Sequence, residues 1–283
     1  MTPTSQGINP HAAQPTSLIA LTKSFWRNRQ LIVQMIKREV VGRYKGSAMG
    51  LAWSFFNPVF MLAVYTFVFS VIFKSRWGVG GEESKTQFAV VLFVGMIVHG
   101  LFAEVLNRAP SLILGNVNYV KKVIFPLEIL PIVNLGAALF HSFISLVVLL
   151  MAFAIFNGYI HWTAVFTPLV LLPLVILTLG LSWMLASIGV FLRDVGQTIG
   201  IITMVMMFLA PVFYPVTALP EDFRPWIMAN PLTFIIEQTR EVIIWGHTPD
   251  WQGLAIYTSA AIAVVWAGYA WFQKTRKGFA DVL

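Results

Sequence analysis

A chain of 283 residues, 58% hydrophobic and 11% charged, does not suit a soluble domain, whose surface meets water with roughly 25% charged residues. The absence of cysteine excludes disulfides and thiolate metal sites. The net charge of +7 calls for no nucleic-acid partner, because the cations flank long apolar runs.

Residues 1–16 read as a Pro/Ser/Thr/Gln tail and are expected to be disordered. They lack the basic and apolar stretches of a signal peptide. Residues 17–49 are expected to hold an interfacial helix. Leu18, Leu21, Phe25, Ile32 and Ile36 share one arc, with Lys23, Arg27, Gln30, Gln34 and Arg38 opposite, the pattern of a helix lying in the headgroup plane. The plainer reading is a soluble helix packed on a partner. Asn28 and Arg29 interrupt the apolar arc, so a bend or snorkelling is required there.

The charge-free runs Gly50–Phe73, Thr86–Ala103, Ile129–Leu192, Val195–Pro220 and Trp251–Gln273 each approach or exceed the 20 or so residues that cross a bilayer. Ile129–Leu192 is long enough for two crossings, turning at Asn157-Gly158-Tyr159. Six spans are therefore expected, at about 50–73, 87–107, 127–156, 163–190, 196–214 and 251–273. Pro131, Pro168 and Pro173 are expected to kink helices or mark their ends. Between spans 2 and 3, Arg108–Phe125 is too short and polar to cross and reads as a surface helix closed by Pro126. Residues 216–249 read as an amphipathic segment that can dip back into the membrane.

With both termini inside, Lys and Arg divide 14 inside to 5 outside, as the positive-inside bias requires. Both ends, including the tail 274–283, are expected in the cytoplasm. The expected fold is thus an all-α integral membrane protein whose spanning region runs from 50 to 273.

Chemistry is mostly missing. No phosphate loop, dinucleotide fingerprint, HExxH or nucleophile elbow occurs, so the chain is expected not to be an enzyme, with no cofactor of its own. The deep apolar runs hold no Asp, Glu, Lys or Arg, each of which would cost about 2.5–3.5 kcal/mol there. That weighs against an ion-driven carrier. His99 and His141 fall mid-span, where interhelical hydrogen bonding is the plain reading and proton relay the sharper one. On span 1, Trp53, Phe56, Phe60 and Phe67 form one stripe, and Tyr65, Phe69 and Phe73 a second on the far side. Such rings serve lipid contact or packing; they also suit the C–H faces of sugars.

Arg43-Tyr-Lys45-Gly-Ser47, Met49-Gly-Leu-Ala-Trp53, Asn57-Pro58, Tyr65-Thr-Phe-Val-Phe69, Asn116-Val-Asn-Tyr-Val-Lys121-Lys122, Pro126-Leu-Glu128, Phe191-Leu-Arg193-Asp194, Pro211-Val-Phe-Tyr-Pro215, Asn230-Pro231-Leu232 and Ile236-Glu237 with Arg240 occur in this order. Together they resemble the permease subunits of ABC-2 polysaccharide exporters of the O-antigen and teichoic-acid type. The likeness covers nearly the whole chain after residue 17. It implies a homodimer in the inner membrane working with two separate ATPase subunits, which bind the ATP and Mg.

It also implies a coupling helix at about 109–124, with Ile113, Asn116, Asn118, Lys121 and Lys122 toward the ATPase. Arg38, Arg43 and Lys45 would meet the diphosphate of an undecaprenyl-diphosphate-linked polysaccharide. Trp53, Phe56, Phe60, Tyr65, Phe67 and Phe69 would line the polymer channel. Phe213, Tyr214, Glu237 and Arg240 would form an exit gate in a re-entrant segment. The alternatives are an ABC-2 permease for a small lipid or drug, and an ion-coupled flippase without ATPase.

Overall fold

The computed structural model describes residues 16–73, 77, 85–121 and 125–283. Among them the regular structure is helical throughout: α1 (Leu18–Arg27), α2 (Arg29–Arg43), α3 (Trp53–Tyr65), α4 (Lys85–Arg108), α5 (Val117–Lys121), α6 (Ile129–Asn157), α7 (Thr167–Phe191), α8 (Val195–Phe208), α9 (Arg224–Met228), α10 (Pro231–Arg240), α11 (Trp251–Thr275) and α12 (Phe279–Val282). The tail 1–15 lies outside the described residues.

Among the described residues, five stretches are long and apolar enough to cross a membrane: Gly50–Phe69, Phe88–Ser111, Ile129–Asn157, Trp162–Phe191 and Trp251–Val282. The first continues α3 into a widened π-type turn over Thr66–Ile72. The span expected at 196–214 is shorter. Helix α8 has 14 residues, about 21 Å at 1.5 Å per residue, against a hydrocarbon layer of about 30 Å. It stops at Phe208 because the chain turns through Leu209–Tyr214, where Pro211 and Pro215 supply no amide hydrogen.

Local chemistry sets the other boundaries. The segment before α3 breaks at Asn28, whose side-chain amide donates to the Ser24 carbonyl at 2.9 Å and separates α1 from α2. Helix α6 ends where Gly158 takes φ +78°, a left-handed cap that costs glycine little. Pro168 occupies the first turn of α7, where a missing amide hydrogen matters least, whereas Pro173 sits inside that helix.

Helix α4 is the hub: 78% of its apolar window is buried, against 11% for the α3 span. Its Val91, Leu92, Val98 and Phe102 pack with Leu149, Val170, Leu174 and Ile236 in one core. A second core gathers Ile32 of α2, Ile113, Ile129, Trp183, Phe272 and Phe279. It therefore puts α2, the α4–α6 connection and the C-terminus at one end, here the basal end. Helices α7 and α11 meet through two glycines, since a Cβ on Gly268 would lie 2.1 Å from the Gly180 carbonyl oxygen. Close backbone approach through small residues is the usual means by which helices associate in lipid.

Candidate functional site

At the basal end, α2 and the α4–α6 connection enclose a cavity of about 630 Å3. Arg38 and Lys45 line it from one side, Asn116 and Tyr119 from the other, with Val133 of α6 also in the wall. Four of the residues singled out for headgroup or coupling roles thus belong to one neighbourhood: Arg38, Lys45 and Asn116 on the cavity wall, and Asn118 exposed on α5 beside it. Arg108 bonds the Glu39 carboxylate, tying the start of the connection to α2.

The connection is not the continuous helix expected over 109–124. Its described part comprises tight turns at Ala109–Ser111 and Leu114–Asn116 followed by α5. Pro110 removes a backbone donor at the start, and Gly115 weakens the middle. Ile113 is fully buried in the basal core, so it anchors the segment from beneath and presents no surface to a partner. Asn116 caps its own turn, donating to the Leu112 carbonyl at 2.8 Å. Lys121 ends α5, and Lys122 lies outside the described residues. Tyr119 stacks on Phe125 at 4.3 Å with the rings 12° apart.

Arg43 departs from its expected role. Its guanidinium donates to Glu104 Oε1 at 2.5 Å and lies 2.8 Å from His141 Nδ1. Arg43 does not line the basal cavity; Arg38 and Lys45 are the cations in its wall, where the Glu39 carboxylate is engaged by Arg108. His141 belongs to an ion cluster joining α2, α4 and α6. His99 Nε2 lies 2.9 Å from the Thr203 carbonyl and links α4 to α8, the interhelical bonding its position suggested.

The two aromatic stripes of span 1 separate. Trp53, Phe56, Phe60 and Phe67 are all exposed on the outer face. Tyr65 and Phe69 point inward: Tyr65 lies 6.5 Å from Phe93, and Phe69 stacks on Phe88 at 5.7 Å and Phe213 at 6.0 Å. Tyr65 also borders a cavity of about 300 Å3 with Asn57, Phe93, Glu104, His141 and Ser145. The outer rings thus form an open face, whereas Tyr65 and Phe69 join the core of the chain.

At the opposite, distal end, Phe213 stacks between Phe69 and Phe208, and the Tyr214 hydroxyl donates to the Phe208 carbonyl at 2.8 Å. Arg240, expected at an exit gate, is tied into the fold on several sides. It is 0% exposed and donates to Val91 O at 3.1 Å, Val212 O at 3.2 Å and Glu237 Oε1 at 2.8 Å. Its guanidinium carbon also sits 4.2 Å above the Trp77 ring. Burial pulls Arg240 down to about 10, leaving it charged at neutral pH. Burial lifts the Glu237 carboxyl, with Arg240 opposing the shift. The gate residues therefore bind α10, α4 and the loop after α8 into one corner.

A further basal knot went unread in the sequence. Glu128 accepts from Ser24 of α1 at 2.9 Å through one carboxylate oxygen and from Arg276 at 2.8 Å through the other. Its carbonyl accepts from Trp183 Nε1 at 2.9 Å. Arg276 also donates to the Phe125 carbonyl at 2.9 Å. The one available signal was a carboxylate abutting one charge-free run and an arginine three residues past the end of another, which pairs nothing by itself.

Comparison with known proteins accords with this architecture. The family description "ABC-2 type transporter" matches residues 30–244. An O-antigen export system permease protein of Myxococcus xanthus is 25% identical, the match covering 93% of this chain and 99% of the relative. A permease of the same description from Klebsiella pneumoniae is 24% identical over 89% of this chain and 95% of its own. A polysialic acid transport protein of Escherichia coli is 22% identical over 85% and 91%. The chain belongs to the ABC-2 type transporter family.

Proposed function

We propose that this chain is the permease subunit of a polysaccharide exporter and forms the membrane conduit. Two copies pair in the inner membrane with their basal ends and both termini in the cytoplasm. Two separate ATPase subunits bind ATP and Mg and drive them. The cargo is a polysaccharide on an undecaprenyl diphosphate, and this chain performs no chemistry on it.

One observation carries the reading beyond the family likeness: Arg38 and Lys45 share a basal cavity with Asn116 of the α4–α6 connection. A diphosphate leaving water needs fixed counter-charge, and the two cations supply it beside the segment proposed to meet the ATPase. Asn118, Lys121 and Lys122 provide that contact, with the buried Ile113 as its footing. Closure of the ATPase pair then moves the cavity wall and the cargo together. Re-entrant α9 and α10 cap the exit, and α8 with the loop after it completes a sixth crossing. Exposed Trp53, Phe56, Phe60 and Phe67 face the polymer across the dimer; Tyr65 and Phe69 support them from within.

The test is export in cells. Loss of the partner ATPase should strip polysaccharide from the cell surface while polymer accumulates in the cytoplasm. Replacing Arg38 and Lys45 by Gln together should lower export while the ATPase still co-purifies. Export that persists without the ATPase, or is driven by a proton gradient alone, overturns the proposal.

A further inference from the structure

A second basal cavity, of about 420 Å3, lies between α1 and α11, apart from the one beneath α2. Lys23, Ser24 and Arg27 line it from α1, Tyr269 and Gln273 from α11, and Glu128 from the start of α6. Its charges do not cancel. The Glu128 carboxylate is already occupied on both oxygens by Ser24 and Arg276. Lys23 and Arg27, one helical turn apart on the same face, make no ion pair among the described residues. The cavity therefore has two free cations at its mouth and a saturated carboxylate behind them.

Its inner wall is polar and incompletely bonded. Gln273 is 4% exposed; its amide nitrogen donates to the Tyr269 hydroxyl at 2.8 Å, while its carbonyl oxygen has no partner. A buried acceptor left unpaired is unfavourable, so this oxygen is suited to an incoming hydroxyl. The Tyr269 oxygen accepts from Gln273, leaving its own hydrogen to donate. The site thus offers cations and a phenolic donor for an anion, and one acceptor for a hydroxyl.

The side of α1 that carries the cations identifies the source. Ile19 and Trp26, flanking Lys23 on the helix, are exposed, and Arg29 lies 4.8 Å over the Trp26 ring. Exposed aliphatic and indole groups beside cations place a helix at the boundary between headgroups and acyl chains. From these features we infer that the α1–α11 cavity binds the headgroup of an anionic phospholipid bearing a free hydroxyl, of the phosphatidylglycerol kind. Phosphate meets Lys23, Arg27 and Tyr269, the headgroup hydroxyl meets Gln273, and the acyl chains run along the apolar outer surface. This lipid fastens α1 to the last span whatever the transported cargo.

Binding of short-chain phosphatidylglycerol, short-chain phosphatidylcholine and inorganic phosphate to the purified full-length chain tests the inference. One phosphatidylglycerol per chain should bind saturably, with phosphatidylcholine and free phosphate far weaker. Lys23→Gln with Arg27→Gln should weaken it about thirtyfold, from the usual attraction per basic residue near a lipid surface. Lys37→Gln with Arg193→Gln removes the same charge away from this cavity and should leave affinity unchanged. Both pairs are exposed, so neither should disturb folding. Equal binding of phosphatidylcholine, equal binding of free phosphate, or equal losses in the two double variants would overturn the assignment.

Discussion

Replacing Arg240 by Met should destabilise the chain more than any other single change at the distal end. The guanidinium satisfies the Val91 and Val212 carbonyls and the Glu237 carboxylate while covering the Trp77 ring. Met fills similar volume but makes none of these bonds. Breaking a buried ion pair costs about 3–5 kcal/mol, and two orphaned carbonyls act in the same direction. The Glu237 side chain is 34% exposed and keeps some water, so about 3 kcal/mol is the better figure. At roughly 2–4 °C per kcal/mol, the thermal midpoint followed by tryptophan fluorescence in detergent should fall by about 6–12 °C. Arg240→Lys keeps the charge without the fork and should fall between. A loss under about 2 °C for Arg240→Met would refute the claim that this arginine pins α10 to α4.

Other consequences are checked in the same way. Because burial raises the Glu237 carboxyl, its folded form holds a proton more tightly than the unfolded chain, so its contribution favours stability at lower pH and weakens as pH rises through the raised value. Wild type should therefore gain midpoint relative to Glu237→Gln on going from pH 7 to 5, measured by thermal unfolding at both values. Gly268→Ala drives a methyl to 2.1 Å from the Gly180 backbone oxygen, whereas the nearest atoms to Gly136→Ala belong to the Ile36 side chain, Cδ1 at 2.3 Å and Cγ1 at 2.8 Å. The first should cost about 1–3 kcal/mol and the second clearly less in parallel unfolding curves. Gly189→Ala places a methyl 2.2 Å from the Pro110 carbonyl oxygen; it should displace the α4–α6 connection and lower export more than protein level, read by surface polysaccharide against immunoblot.

What was legible in the sequence was whatever depends on near neighbours. Charge-free runs located the five long apolar stretches among the described residues, Asn28 marked the break between α1 and α2, and Gly158 marked the end of α6. The span 1 periodicity separated exposed Trp53, Phe56, Phe60 and Phe67 from inward Tyr65 and Phe69, but misplaced Phe73, which is exposed past the last helical turn. What was illegible depends on partners far along the chain. Arg43 finds Glu104 61 residues away and His141 98 away, and Glu128 finds Arg276 148 away. No local pattern reports such pairings, so neither the Arg43 ion cluster nor the bonds of Arg240 to Val91 and Val212 could be read there. The early stop of α8 was hidden for another reason: Leu209–Val212 is as apolar as the helix before it, and hydropathy is blind to where a helix stops within an apolar run.

The same distant bonds constrain how movement enters the molecule. At its start, the α4–α6 connection is held by Arg108 on Glu39 and by Pro110 against Gly189. At its end, Arg276 holds the Phe125 carbonyl, and Glu128 joins α1 and α11 to the first turn of α6. The exposed Asn118 lies between these clamps. A push at that point loads the charge-assisted bonds at the two ends of the connection. The lower-energy response is for α2, α7 and α11 to shift with it, which carries the wall of the Arg38–Lys45 cavity along. A single basal displacement thereby reaches both the cation pair and the α7–α11 glycine contact, where close backbone packing resists local deformation.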